Sequence, residues 1–145
     1  MYKHVLIPTD GSELSSQAEA AGLTLAKALD ARVTALTVTP PFQFIGSDPM
    51  MLVVSQPEYE KAQAARAEKT LERVKTTAAA IGVPVETERA VSLHPFEAII
   101  TTAKERGCDL IFMASHGRGG VAGLILGSVT TKVLTHSKIP VLVLR

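Results

Sequence analysis

Short apolar runs alternate with longer stretches in which apolar residues recur every three or four positions. HVLIP, residues 4–8, reads as a strand covered on both faces. Leu14, Ala18, Ala21, Leu25 and Leu29 then recur at helical spacing, and Ser12 is placed to cap that helix. Residues 31–38 (ARVTALTV), rich in β-branched side chains, predict the second strand. Residues 56–81 predict a long helix with Ala67, Leu71, Val74, Ala78 and Ile81 on its core face and Gly82 closing its end. A third strand is expected over 83–91. Pro95 opens a helix with Phe96, Ile99, Ile100 and Ala103 inward, and Gly107 ends it. Residues 109–114 predict a fourth strand, 128–136 a short helix, and 140–144 (PVLVL) the last strand.

Strands of this kind separated by helices predict an α/β fold: one domain over 1–145, a five-stranded parallel sheet with helices on both faces. Ligands of such sheets bind beyond the carboxyl ends of the strands, where the strand order reverses. The first and fourth strands have the most chemically suggestive exits, PTDGS and MASHGRGG, so they are expected to be neighbours. Residues 39–55 form a long connection with three Pro and with Phe42, Phe44, Met50, Met51, Leu52 and Val53. It either covers a ligand or partner surface or tucks onto its own domain.

The composition narrows the function. At 145 residues, 46% hydrophobic, the chain can bury a real core and is no disordered tail. A net charge of +1 argues against a basic nucleic-acid face. No apolar run reaches membrane-spanning length, and VLIP gives way at once to TDGSE, unlike a secretory leader. The single Cys108 cannot form an internal disulfide and reads as a reduced, half-buried thiol, so a cytoplasmic location is expected.

The run 113–130, MASHGRGGVAGLILGSVT, carries the chemistry. Gly117, Gly119, Gly120, Gly123 and Gly127 let a backbone turn expose N–H groups and admit a phosphate without a Cβ in the way. Ser128 adds a hydroxyl at a helix start, where the dipole contributes about 0.3–1 kcal/mol for an anion. Thr130 and Thr131 are further candidate donors, and Arg118 is placed to cap outer phosphates. The alternative is a plain glycine loop ahead of a satisfied helix cap. There is no GxxxxGK[ST], and no dinucleotide fingerprint follows the first strand. Asp10 suits a ribose hydroxyl or a metal on the phosphates; equally, it suits capping the helix that starts at Glu13. His116 alone among the histidines has a site-like neighbourhood, whereas His4, His94 and His136 read as surface or capping residues. Neither metal-ligand spacing nor a GxSxG elbow occurs.

VLIPTDGSE, MASHGRGG with the following LGSVT, and THSKIPVLVLR together resemble the universal stress protein family over the whole chain. The resemblance implies a Rossmann-like fold of the adenine nucleotide alpha hydrolase-like type. It also implies ATP as ligand, with Mg2+ on its phosphates as an option through Asp10. Nucleotide-binding members carry G-x2-G-x9-G-[ST]. Here Gly117 and Gly127-Ser128 match, but Ala114 stands at the first glycine, where it strains the chain if φ is positive and is harmless otherwise. By the same resemblance Pro8, Thr9 and Asp10 line the adenosine side and Val38 contacts adenine. Met113, Ala114, His116, Gly117 and Arg118 wrap the ribose and phosphates. Gly127, Ser128, Val129 and Thr130 take the phosphate tail. Members are commonly homodimers through the last strand, here 140–144. The implied role is a stress-response binding protein with at most slow ATP hydrolysis and no catalytic residue. The alternative is a dimeric interaction scaffold of the same family that binds no nucleotide. A ligase or pyrophosphatase on this fold would need SGGxDS or HxGH motifs, which the chain lacks.

Overall fold

The computed structural model describes residues 1–43, 54–117 and 126–145. Strands and helices alternate along them: β1 (His4–Pro8), α1 (Glu13–Leu29), β2 (Arg32–Thr39), α2 (Gln56–Ile81), β3 (Val85–Val91), α3 (Pro95–Glu105), β4 (Leu110–Ala114), α4 (Ser128–His136) and β5 (Val141–Leu144). The strands form one sheet in the order β3-β2-β1-β4-β5, and every neighbouring pair is parallel. β1 and β4 are therefore adjacent, as their exits predicted.

Successive strand residues face opposite sides of the sheet. Val5, Ile7, Val33, Ala35, Leu110 and Phe112 pack beneath α1 and α2. Leu6, Leu36, Ile111 and Met113 pack beneath α3 and α4. Both faces are covered, which explains the unbroken apolar runs of β1 and β4.

Three helices close in the same way, and these closures set where the strands start. Asp30 (φ 52°), Gly82 (φ 72°) and Gly107 (φ 67°) turn left-handed after α1, α2 and α3. The next amide then reaches back five residues: Ala31 to the Ala26 carbonyl (2.9 Å), Val83 to Ala78 (3.0 Å) and Cys108 to Ala103 (2.8 Å). The Ala31 and Val83 amides are spent on helix ends, so β2 starts at Arg32 rather than 31 and β3 starts past 83, at Val85; Asp109 N–H donates to the His4 carbonyl (2.9 Å) and β4 follows at Leu110. Pro84 and Pro140 have no N–H to give a ladder, which moves the starts of β3 and β5 past them. At its far end β2 runs on to Thr39, which pairs with Val91.

The buried face of α1 differs from the predicted stripe. Ser15, Ala18, Glu19, Gly22, Leu23 and Ala26 are buried, while Leu14, Ala21, Leu25 and Leu29 flank them partly exposed. Close packing explains the rotation. A Cβ on Gly22 would lie 2.8 Å from Ile7 Cδ1 and 3.1 Å from Phe112 Cδ1. Small residues at 18, 22 and 26 let the helix settle onto β1 and β4, and the larger aliphatics seal its sides. On α2 and α3 the predicted faces hold, except that Ile81 and Phe96 are partly buried while Thr70 and Thr102 are buried.

At the amino edge of the sheet, His4 is buried, not at the surface as expected. Its Nε2 pairs with Thr34 Oγ1 at 2.8 Å, and Nδ1 has no partner among the described residues. Burial, reinforced by the Arg32 charge, holds the imidazole below its ordinary pKa of 6.5. Burial also pushes the Cys108 thiol up to about 11, which disfavours the thiolate. For Asp109, burial would raise the carboxyl, but N–H donation from Lys3 (2.9 Å) and His4 (3.0 Å) outweighs it and holds it below its ordinary value.

Candidate functional site

The exit of β1 is built by hydrogen bonds that continue past the strand. Thr9 N–H donates to the Leu36 carbonyl at 2.8 Å, and Thr37 Oγ1 donates to the Thr9 carbonyl at 3.0 Å. Gly11, at φ 79°, then turns the chain into α1. Ser12 is the helix cap and accepts from Ser15 N–H at 3.2 Å. Asp10 stands two residues outside: its Oδ1 accepts the Ser12 N–H at 2.9 Å while the residue borders a cavity. The two sequence readings of Asp10, turn-former and site residue, are thus compatible in one orientation.

The exit of β4 folds back on itself. Ser115 N–H donates to the Leu144 carbonyl at 2.8 Å, and Gly127 N–H donates to the Ser115 carbonyl at 2.7 Å, which draws the start of α4 against the end of β4. Two glycines leave little room for a side chain here. A Cβ on Gly117 would sit 2.5 Å from Asp10 Oδ2, and one on Gly127 would sit 3.2 Å from the Ser115 carbonyl oxygen. The N-terminus of α4 has no side-chain cap among the described residues. The amides of Ser128, Val129 and Thr130 have no acceptor within the helix, since Thr131 N–H is the first to find one, the Gly127 carbonyl at 3.0 Å.

Three sequence-based expectations change at this point. The Gly127 amide is consumed by Ser115, so it anchors the turn rather than facing an anion. The hydroxyls of Thr130 and Thr131 are also spent, donating to the Ala114 carbonyl (3.0 Å) and the Gly127 carbonyl (2.9 Å), which leaves Ser128 as the hydroxyl of the group without such a bond among the described residues. And Ala114 is not strained: it lies in β4 with no positive φ, and it packs with the core under α1 and α2. His116 pairs through Nδ1 with Ser115 Oγ (3.0 Å), while its buried Nε2 has no partner among the described residues.

A cavity of about 550 Å³ opens between these exits and the α3/α4 face. Pro8, Thr9, Asp10, Val38, Met113, Ala114, His116, Gly117, Gly127, Ser128, Val129 and Thr130 all border it. Arg118, Gly119, Gly120 and Gly123 lie outside the described residues, as do 44–53 of the long connection. Ser15, Leu36, Pro95 and Ile99 complete the lining and were not predicted for it. Leu36 was legible, being two residues from Val38 and so on the same face of β2. Pro95 and Ile99 read only as helix start and core. Among the described lining residues Asp10 is the one carboxylate, and no cluster of three metal-ligating side chains occurs among the described residues.

Together the fold and the cavity define a parallel α/β protein with an uncapped helix N-terminus at the switch point of its sheet. Comparison with known proteins assigns the family: residues 1–145 match the universal stress protein family, and the chain belongs to it. Universal stress protein MJ0531 of Methanocaldococcus jannaschii is 33% identical, with all of this chain and 83% of that protein aligned. Universal stress protein YxiE of Bacillus subtilis is 35% identical over the full length of both. Among solved structures, universal stress protein UspA from Lactobacillus plantarum superposes with a TM-score of 0.80 at 27% identity, covering 99% of this chain and 98% of that one. A universal stress protein solved in complex with cAMP superposes with a TM-score of 0.74 at 30% identity, covering 99% and 97%. Among the described residues no helix is long and apolar enough to cross a membrane.

Proposed function

We propose that the cavity binds an adenine nucleotide, ATP above all, and that the protein works as a nucleotide-dependent regulatory module. The observation that carries this reading is the open start of α4: three backbone amides without helical acceptors or a side-chain cap, beside the cavity. Such a terminus attracts phosphate through its N–H groups and its dipole. The apolar side of the cavity, from Leu36, Val38, Ile99 and Met113, suits a flat base. Pro8, Thr9 and Asp10 then stand on the adenosine side. The relative solved with cAMP supports an adenine nucleotide as the ligand class. Any Mg2+ would arrive on the phosphates, with Asp10 in reach as carboxylate. Hydrolysis is slow in this reading, because the Asp10 carboxylate holds the Ser12 N–H and is a positioning group rather than a free general base. The protein pairs as a homodimer along β5 and works in the cytoplasm.

Calorimetric titration with ATP, ADP and AMP, with and without Mg2+, tests the reading. At a hundred times its Kd, the ligand should add about 2.7 kcal/mol of stability. Ser128→Asp should fold normally, since a carboxylate suits the first turn of a helix, yet weaken ATP about tenfold by occupying the anion's place. No heat and no thermal shift up to millimolar nucleotide would sink the assignment.

A further inference from the structure

An ion pair with a buried carboxylate, outside the cavity, runs into the turn that borders it. Glu19 lies on the sheet-facing side of α1 and is 4% exposed. Arg73, from α2, donates to it with both Nε (3.3 Å) and an Nη (2.6 Å). The same carboxylate accepts the hydroxyl proton of Thr9. Thr9 Oγ1 in turn accepts from Ser15 Oγ (3.0 Å) and from Gly11 N–H (3.3 Å), and Ser15 Oγ accepts Asp10 N–H at 3.2 Å.

The direction of every bond in this chain follows from its origin. A carboxylate paired with a guanidinium accepts only, and a hydroxyl has one proton to give. Thr9 must donate to Glu19, so its oxygen is left to receive the Ser15 and Gly11 protons. Ser15, having given its proton to Thr9, must receive the Asp10 amide. The amides of Asp10 and Gly11 are thus both drawn inward. That leaves the Asp10 side chain to hold the Ser12 amide on the cavity side, opposite Gly117.

We infer that Glu19, held by Arg73, is a positioning residue for the ligand site: it fixes the Thr9–Ser15–Asp10 turn and through it the rim carboxylate that meets the nucleotide. The effect on affinity rests on the nucleotide reading of the cavity; the effect on the turn does not. α2 begins just after the long connection, so the pair also ties that helix to the site.

The experiment uses the intact chain and Glu19→Gln, which keeps the shape but replaces one acceptor with a donor. Arg73→Met, at a half-exposed position, serves if the first variant does not fold. Hydrogen exchange of the nucleotide-free protein reads the turn, and ATP titration at a temperature where all forms are folded reads the site. The Asp10 and Gly11 amides should exchange about tenfold faster in the variant, and ATP should bind about tenfold more weakly, within the range of network couplings. Arg73→Lys should recover part of both losses. A lower Tm with unchanged exchange and unchanged affinity would mean a structural role only and would overturn the inference. Faster exchange with unchanged ATP affinity would overturn it as well. If the unmodified chain binds no ATP, the reading of the cavity fails, and the exchange measurement alone decides for or against the turn.

Discussion

Gly117 and Asp10 face each other across the two halves of the site, and a single added carbon tests that approach. The sequence suggested Gly117 as room for a phosphate; the structure gives a different reason, because a Cβ there meets the Asp10 carboxylate at 2.5 Å. Gly117→Val should therefore displace Asp10 and lower ATP affinity at least about tenfold with little change in Tm, and equal affinity in calorimetry would refute the link. Ala114→Gly should not tighten binding, since Ala114 is unstrained and its side chain packs in the core; a glycine in a strand should instead cost about 0.5–1 kcal/mol of stability. His4 sets a pH response. Its folded-state pKa is depressed, so the unfolded chain binds the extra proton, and stability should fall as pH drops through about 6.5. Asp109, also depressed, should add a second loss only below the ordinary carboxylate pKa of 3.8. Denaturation at pH 7.5 and 5.5 should show a difference that His4→Gln reduces. Much of the cavity lining was readable at this scale because glycines and strand exits mark themselves. Glu19 and Ser15 were not, because what buries a polar residue on a helix is a partner elsewhere: Arg73, 54 positions on, for Glu19, and Thr9, outside the helix, for Ser15.

The elements were legible in kind and order because the inner strands β1, β2 and β4 are buried on both faces and each helix carries its own period. The orientation of α1 was not. Hydrophobicity favoured a stripe of leucines, but packing distance chose the stripe of small residues, and only the neighbouring Ile7 and Phe112 reveal that choice. Strand starts slipped for a related reason: a helix closure spends an amide that the apolar pattern assigns to a strand. Gly22→Ala isolates the packing term. The methyl raises helix propensity, yet it must push Ile7 or Phe112 aside, so a net loss of about 1–3 kcal/mol is expected in chemical denaturation. A gain in stability would show that α1 has slack over β1 and β4.

At the scale of the whole molecule, β5 ends the sheet, and its edge decides how two copies could meet. In an extended strand the N–H and C=O of one residue point the same way. Pro140 and Leu144 give their carbonyls to Ile111 and Ser115 of the β4 side, so the outward groups belong to Val141 and Val143. The side chains of those two valines pack on the α3/α4 core, whereas Leu142 is 39% exposed. Lysines at 141 and 143 would therefore damage the fold along with any interface. Val143→Pro removes an outward amide without touching the β4 ladder, because edge strands accept proline where the N–H faces out. If β5 pairs with its twin, this variant should be monomeric in sedimentation at concentrations where the unmodified chain is dimeric, with its Tm nearly kept. An intact dimer in the Val143→Pro variant would place the interface on another face of the molecule.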